Sequence, residues 1–402
     1  MRYFQVDITD PQTGEILVPN LNGKPGYTRV ARTTLLSSYT SLVQGASVYT
    51  PGGTNRAAQE FECDIPVTTA EASVSNGAIT LHGVGLGEIA QAANLNGMNI
   101  AIYGGMAKGL PLANPQQAGR LASGQILQAF GNWIGSDQAL TIIVKSLGSS
   151  PTSNQTTGTP SSYTTVPAPT RNAAPANLVF QWKAGQPLLT PLIATLSTAF
   201  PKYTISGSVS PNLVWTGADE TGYFATLPQL AAYLNQKSLS IIGGYAPSDD
   251  YSGVLITLDG NDIVISDGTT ATTPKQIQFT DLIGQPTWGQ PQQCQITTVL
   301  RGDLKVLDYI VLPDAPGTTT TASKSQFFNP QPGSQYASMK SGSIFTGTFL
   351  VKTLRHVGAS RNPEGTAWVT TLDCILTGQP KNPVSKLPVL QRPNPAYAFY
   401  TP

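Results

Sequence analysis

The sequence predicts a mainly β chain that carries one small α+β module. Three observations lead there. Apolar and polar residues alternate over short segments such as YFQVDIT; glycine and proline are abundant, at 39 and 32 of 402 residues; and a clear helical stripe occurs in only two places, both mid-chain. Alternation sends successive side chains to opposite faces of a strand, while glycine and proline supply the turns between strands.

At the amino terminus Tyr3–Thr9 alternates, DPQTGE turns the chain, and Ile16–Val18 returns as the second strand of a hairpin. Further strands are expected at 46–50, 60–66, 77–82, 98–103 and 139–147, with a short helix at 87–97 ended by Asn-Gly. These elements make a first β-domain over residues 1–150.

A stretch without apolar period begins at 148, and residues 151–177, rich in Ser, Thr and Pro, are expected to form a linker or long external loop. The sequon Asn154-Gln155-Thr156 in it is read as chance. Residues 178–284 change character and form the α+β module. In TPLIATLSTAF, Thr190 caps a helix with Pro191 at its first position, and Leu192, Ile193, Leu196, Ala199 and Phe200 share one face. In TLPQLAAYLN, Thr226 and Gln229 suggest a capping box, and Leu227, Leu230, Ala231 and Leu234 form the stripe. A hairpin, GVLITL-DGND-IVIS, follows. Residues 285–380 are β again, with CQITTVL, DYIVLP and a long pair within 345–378, and the Pro-rich residues 381–402 are expected to be extended.

Charge narrows the function. Asp, Glu, Lys and Arg make up 11% of the chain, against roughly 25% in an average soluble protein. So sparse a charged surface suits a protein whose faces are covered by other subunits. The net charge of +1, with no cluster of basic and aromatic residues, argues against nucleic-acid binding. No apolar run reaches the ~18 residues of a membrane span, and the alternating amino terminus does not read as a signal peptide, so a soluble, unprocessed chain is expected.

Candidate chemistry centres on FTGTFLVKTLRHVGASRNPEGTAWVTTLDCILTG, which holds His356, Asp373 and Cys374. Alternation sends Asp373 and Cys374 to opposite faces, and simple pairing across GASRNPEG puts Cys374 near Phe349, about 23 Å along the strand from His356. A Cys-His pair needs contact of ~3 Å, so two structural strands are expected. Cys63, Cys294 and Cys374 show no metal or disulfide spacing and are expected as reduced, structural thiols. His82 precedes Gly83, Gly85 and Gly87 without completing a phosphate-loop pattern. Arg301-Gly302-Asp303 spells an integrin-binding tripeptide but sits where a turn is needed. Asp249, Asp250, Asp259, Asp262 and Asp267 lack EF-hand spacing and are read as turn formers. No catalytic, metal or cofactor-binding residue is assigned, and no cofactor is expected.

From residue 178 onward the succession resembles the baseplate hub proteins of contractile-tailed bacteriophages. The motifs are LIGQP at 282–286, LKVLDYIVLP at 304–313, and V..LRHVG…W.T.L.C from 351 to 374. The resemblance is strong over the carboxyl half and present only in outline over the first β-domain. One departure is Leu307, where the family often has glycine. The resemblance implies two tail-tube-like β-barrels per chain, residues 1–150 and 285–380, flanking the module. It implies a homotrimer whose six barrels imitate the six-fold tail tube, binding tail tube protein on one side and the central spike on the other. Other baseplate proteins would surround it, and DNA would pass through its lumen at genome ejection. Such a protein is made in the host cytoplasm, ends in the virion, inserts in no membrane and is no enzyme. Two alternatives are a tail tube or distal tail protein, which needs only one barrel, and a cell-wall-degrading tail enzyme, which needs paired carboxylates or zinc. The turn GASRNPEG becomes a candidate for contacting a neighbour.

Overall fold

The computed structural model describes residues 2–20, 26–31, 36–70, 76–106, 115–145, 178–201, 203–243, 251–259, 262–269, 273–290, 293–312 and 348–377. The expected linker at 151–177, its sequon, Asp249, Asp250 and the tail at 381–402 lie outside them.

The first strands are β1 Arg2–Thr9, β2 Ile16–Pro19, β3 Tyr27–Val30, β4 Tyr39–Thr40, β5 Glu60–Thr68, β6 Gly77–His82, β7 Asn99–Met106, β8 Gly119–Ile134 and β9 Asp137–Lys145, with helix α1 at Leu86–Ala90. The middle supplies β10 Leu178–Trp182, helix α2 Leu189–Ala199, β11 Thr204–Ser208, β12 Glu220–Phe224, helix α3 Leu227–Gly243, β13 Leu255–Asp259 and β14 Asp262–Ser266. Then come β15 Lys275–Gln276, β16 Thr287–Gln290, β17 Gln293–Val299, β18 Tyr309–Val311, β19 Thr348–Ala359 and β20 Trp368–Thr377. The protein is mainly β, as the alternation requires. Among the described residues no helix is long and apolar enough to cross a membrane.

The chain divides into two compact units, one within 1–67, 74–147 and 274–376, the other within 68–73, 148–273 and 377–402. The first is built on a single sheet in the order β16-β17-β20-β19-β5-β6-β9-β8-β7-β1-β2-β3, with β4 on β1, β18 on β19 and β15 on β18. Strands from both ends of the sequence therefore share one hydrogen-bonded surface. That surface cannot be flat. β1 and β5 are five strand steps apart, roughly 24 Å if the sheet were planar, yet the rings of Phe4 and Phe61 stack with centroids 4.6 Å apart. The sheet curls until its inward faces meet, enclosing a core of Phe4, Val6, Phe61, Ile79, Leu81 and Leu140. A second curl brings Trp288 on β16 to 6.2 Å from Phe349 on β19, three strand steps away, around Ile296, Ile310, Val351 and Leu372. The cores are coupled: Val299, Leu300 and Trp368 join the first, and Val67 packs against both.

In the second unit β10 pairs with β12, and β14 lies between a parallel β11 and an antiparallel β13. Leu192 and Leu196 of α2 and the expected α3 stripe, Leu227, Leu230, Ala231 and Leu234, are fully buried in its core.

Several local expectations are corrected. Residues 46–50 are not a strand: Ser47 and Thr50 exchange backbone hydrogen bonds, so this segment is a tight turn. The helix expected at 87–97 breaks at Gln91 into α1 and a short 3-10 turn at Ala92–Leu95. Helix α2 starts at Leu189, so Thr190 lies inside its first turn and is not the cap, and Pro191 is its third residue and not its first. The Gln229 side chain accepts a hydrogen bond from the Ala225 N–H, one residue before the expected box. The longest strand, β8, has no counterpart in the sequence reading.

Candidate functional site

Polar and charged side chains converge inside the first unit where β17 ends. A close backbone crossing sets this up. A Cβ on Gly119 would lie 2.4 Å from the Gly302 carbonyl oxygen, so only glycine lets the start of β8 pass over the turn at 301–303. The Gly302 N–H donates to the Gln117 carbonyl at 2.9 Å. Gln117 Nε2 in turn donates to Asp281 Oδ1 at 2.7 Å.

Arg301 sits at the centre with 5% of its side chain exposed. Its Nε and Nη2 donate to the two oxygens of Asp303 at 2.7 and 2.8 Å, and Nη1 donates to Asp281 Oδ2 at 3.0 Å. A buried guanidinium in low dielectric requires such matched partners. The tripeptide Arg301-Gly302-Asp303 is thus folded on itself and offers nothing to an adhesion receptor. Gly302 does form the expected turn.

The cluster extends to the candidate histidine. The Arg301 backbone N–H donates to Thr370 Oγ1 at 2.9 Å, and Thr370 Oγ1 lies 2.9 Å from His356 Nδ1. The hydroxyl accepts from Arg301 and keeps both a proton and a second lone pair with which to meet Nδ1. His356 is fully buried, and among the described residues its Nε2 has no hydrogen-bond partner. Burial pushes its pKa down to about 4, against a smaller upward pull from Asp303. The imidazole is neutral at pH 7.

His356, Asp373 and Cys374 do not come together. Ala359 with Ala367, His356 with Thr370 and Thr353 with Asp373 mark the register of β19 on β20. Cys374 is therefore opposite Lys352 and not Phe349, which shortens the expected separation from His356 to about 13 Å, still far beyond contact. Asp373 is exposed and accepts from Gln295 and Thr353. Cys374 instead faces Cys294 across β17, and Cys63 lies in the other core; all three are free, buried thiols whose pKa burial raises. Raised values keep them protonated and poorly nucleophilic.

Elsewhere, His82 lies on the outer face with Nδ1 3.2 Å from Asp137 and Nε2 3.6 Å from Glu62, and Gly83 ends its strand at a φ of 77°. Asp267 in the second unit organises a turn, accepting from the Ser210 N–H and from the N–H and hydroxyl of Thr269. Among the described residues, no three His, Cys, Asp or Glu side chains are grouped to hold a metal ion.

Leu307 has a φ of 73°, alone among described non-glycine residues in the left-handed region. It sits in a turn closed by the Asp308 N–H on the Lys305 carbonyl, and its own N–H donates to Val351. The turn GASRNPEG is held within the chain: Arg2 donates to the carbonyls of Ala359, Asn362 and Glu364, and Ser360 exchanges hydrogen bonds with Phe61.

One surface was missed by the sequence reading. The hairpin of β8 and β9 turns through Gly135-Ser136 and exposes Leu127, Phe130, Trp133 and Ile134, with Trp133 63% and Ile134 77% exposed. From Leu121 to Ser136 there is no charged residue. β7 pairs with β8 as far as Gln125; beyond it Ile126 exchanges backbone hydrogen bonds with Gly97 and Met98 and the Ala129 N–H donates to Asn96 Oδ1, and no described strand pairs with the end of β8 after that. The two-residue Gly-Ser loop between apolar runs was the available signal.

No protein-family model matches the chain, and no curated protein matches it. Among solved structures, the 43 kDa tail protein of prophage MuSo2 from Shewanella oneidensis is similar at 9% identity, covering 94% of this chain and 98% of that one, with a TM-score of 0.41. The tail protein from Neisseria meningitidis MC58 is similar at 10% identity over 80% and 96%, with a TM-score of 0.40. A chain of the Francisella PdpA-VgrG complex is similar at 8% identity over 94% and 59%, with a TM-score of 0.41. Backbone overlap at that level is loose, and no residue role follows from it.

Proposed function

We propose that the protein is a structural virion component, a baseplate hub in which three chains form a pseudo-six-fold ring between tail tube and central spike. The observation that carries this reading is the first unit itself: one continuous sheet curled around two separate cores. On this reading residues 1–150 and 285–380 are two tube-like barrels fused in one chain, and three copies present six. A tube subunit needs only one such core.

The β8–β9 hairpin supports assembly. Its exposed aromatic and aliphatic side chains, in a stretch without charge, lack the charged residues that keep such surfaces apart, so it suits a covered interface. Its occupant in this reading is a second copy of the chain. The sparse charge fits many covered faces, and the absence of a basic field fits a lumen that passes DNA without retaining it. The polar cluster at Arg301 has every charged group committed to another, which suits a rigid adaptor and not catalysis.

Electron microscopy of particles labelled with gold-tagged antibody to this chain tests the proposal. Label confined to the tail tip is the expected result. Label along the whole tail would assign a tube subunit, and label absent from particles would overturn a virion role.

A further inference from the structure

Two runs of five consecutive strands in the first unit share one topology. The strands from β5 to β9 lie in the order β5-β6-β9-β8-β7, and those from β16 to β20 lie in the order β16-β17-β20-β19-β18. Neighbours in the earlier run are antiparallel, as are β16 with β17, β17 with β20 and β18 with β19 in the later one. The register of β19 on β20 runs the same way, from Thr353 beside Asp373 to Ala359 beside Ala367. Each first strand also turns an aromatic side chain toward its core, Phe61 on β5 and Trp288 on β16. The chain therefore contains the same sheet twice.

The chain makes the seam between these runs once. β18 takes only the start of β19, at Thr348–Leu350, and β5, the first strand of the earlier run, takes the far half. There Arg355 grips Asp64, and Ser360 exchanges hydrogen bonds with Phe61, so positions climb on β19 while they descend on β5 and the two strands are antiparallel. The fourth strand of the earlier run, β8, repeats the first half of this arrangement. β7 takes Gly119–Gln125, Gly97, Met98 and Asn96 hold Ile126 and Ala129, and Phe130–Ile134 have no described strand beside them. Because the Ala129 N–H points away from β9, alternation sends the backbone groups of Gly131 and Trp133 outward as well. By the repeat, the strand that belongs there is β16, and among the described residues β16 pairs only with β17.

We propose that Phe130–Ile134 of one chain pairs antiparallel with β16 of the next, repeating between chains the seam that β19 and β5 make within one. The inference deepens the hub reading, on which it rests for the number of copies. Such a contact joins two different surfaces head to tail, the kind of interface that closes rings. Charge favours these partners: residues 121–136 and 282–300 contain no Asp, Glu, Lys, Arg or His, so neither strand carries a charge that guards an edge. β3, at the other end of the sheet, does carry one, Arg29 on Asp10. β16 is four residues long, which the end of β8 accommodates. Main-chain hydrogen bonds supply affinity in such strand addition, and the exposed Phe130, Trp133 and Ile134 supply apolar contact.

Cysteine cross-linking of the full-length chain, alone and with the proposed spike protein, tests the seam, because a disulfide needs Cα atoms within about 7 Å. The native Cys63, Cys294 and Cys374 are buried. Asn132→Cys is produced together with a differently tagged Thr287→Cys or Gly289→Cys chain and treated with a mild oxidant. A mixed product of twice the chain mass is expected, and with both substitutions in one chain the products should stop at three chains. A three-chain species in sedimentation without either mixed product overturns the seam and leaves the hub reading standing. Asn132→Cys chains bonding only to each other would mark a two-fold contact and also overturn it. Products running past three chains keep the seam and overturn the three-chain ring, and a chain that stays single in every condition overturns both. Trp133→Pro removes one outward N–H without touching the β9 ladder and should weaken assembly about tenfold or more at an unchanged thermal midpoint. Unchanged assembly of a folded Trp133→Pro contradicts the proposal; if that variant does not fold, the cross-links decide.

Discussion

Two arginines in the first unit make the same fork-shaped bond to an aspartate in opposite surroundings. Arg301 grips Asp303 and Asp281 with almost none of its side chain exposed, whereas Arg355 on β19 grips Asp64 on β5 at 2.8 and 2.6 Å with 60% exposed. Geometry alone would rank them equal. Burial separates them, because water screens and replaces the outer pair but is kept from Arg301 and Asp281. The inner cluster is therefore a structural commitment, and the outer pair is a minor tie between neighbouring strands.

The largest expected effect breaks the inner side of the comparison. Arg301→Met should leave Asp281 buried and Asp303 partly buried without a counter-charge and cost about 3–5 kcal/mol in chemical denaturation. A loss below about 1 kcal/mol would show that water reaches the cluster.

Next comes pH. Unfolded His356 takes a proton near pH 6.5, but in the fold it does so only near about 4. The unfolded state thus binds more protons between those values, and stability should fall as pH drops from about 6.5 to about 4, by roughly 3 kcal/mol in all, while staying flat above. His356→Gln should flatten that slope. Exposed Asp64, whose pKa Arg355 holds low, should contribute only a small further loss, below about pH 4.

A smaller effect of opposite sign lies in the turn beside the inner cluster. Leu307 adopts a left-handed conformation that costs a non-glycine residue roughly 1 kcal/mol, and Leu307→Gly should recover up to about that much, read as a higher denaturation midpoint. The smallest effect sharpens the outer side: Arg355→Met should cost about 0.2–1 kcal/mol, and the cost should shrink in added salt, unlike that of Arg301→Met.

What the sequence disclosed follows the range of the interactions. The stripes of α2 and α3 were readable because their residues lie within two turns of one another. The strands β1, β5, β6 and β7 were readable by alternation. β8 was not, since a bulge between Ile126 and Gln128 shifts its register and Gly124 and Gly131 interrupt its apolar run. The resemblance marked position 307 as a glycine site, and the structure retains a glycine-like conformation there with leucine in place. The polar cluster was unreadable: Gln117 and Asp281 are 164 residues apart, and only the curl of the sheet brings them together. Arg301-Gly302-Asp303 was visible as a motif, but its inward direction depends on that same curl.

The proposed hub role requires three copies of the chain to assemble. Sedimentation velocity on the purified protein, alone and with the central-spike protein proposed as its partner, measures this directly. A species of three times the chain mass, in at least one of the two conditions, is the predicted result; a species that stays at one chain mass in both would contradict it.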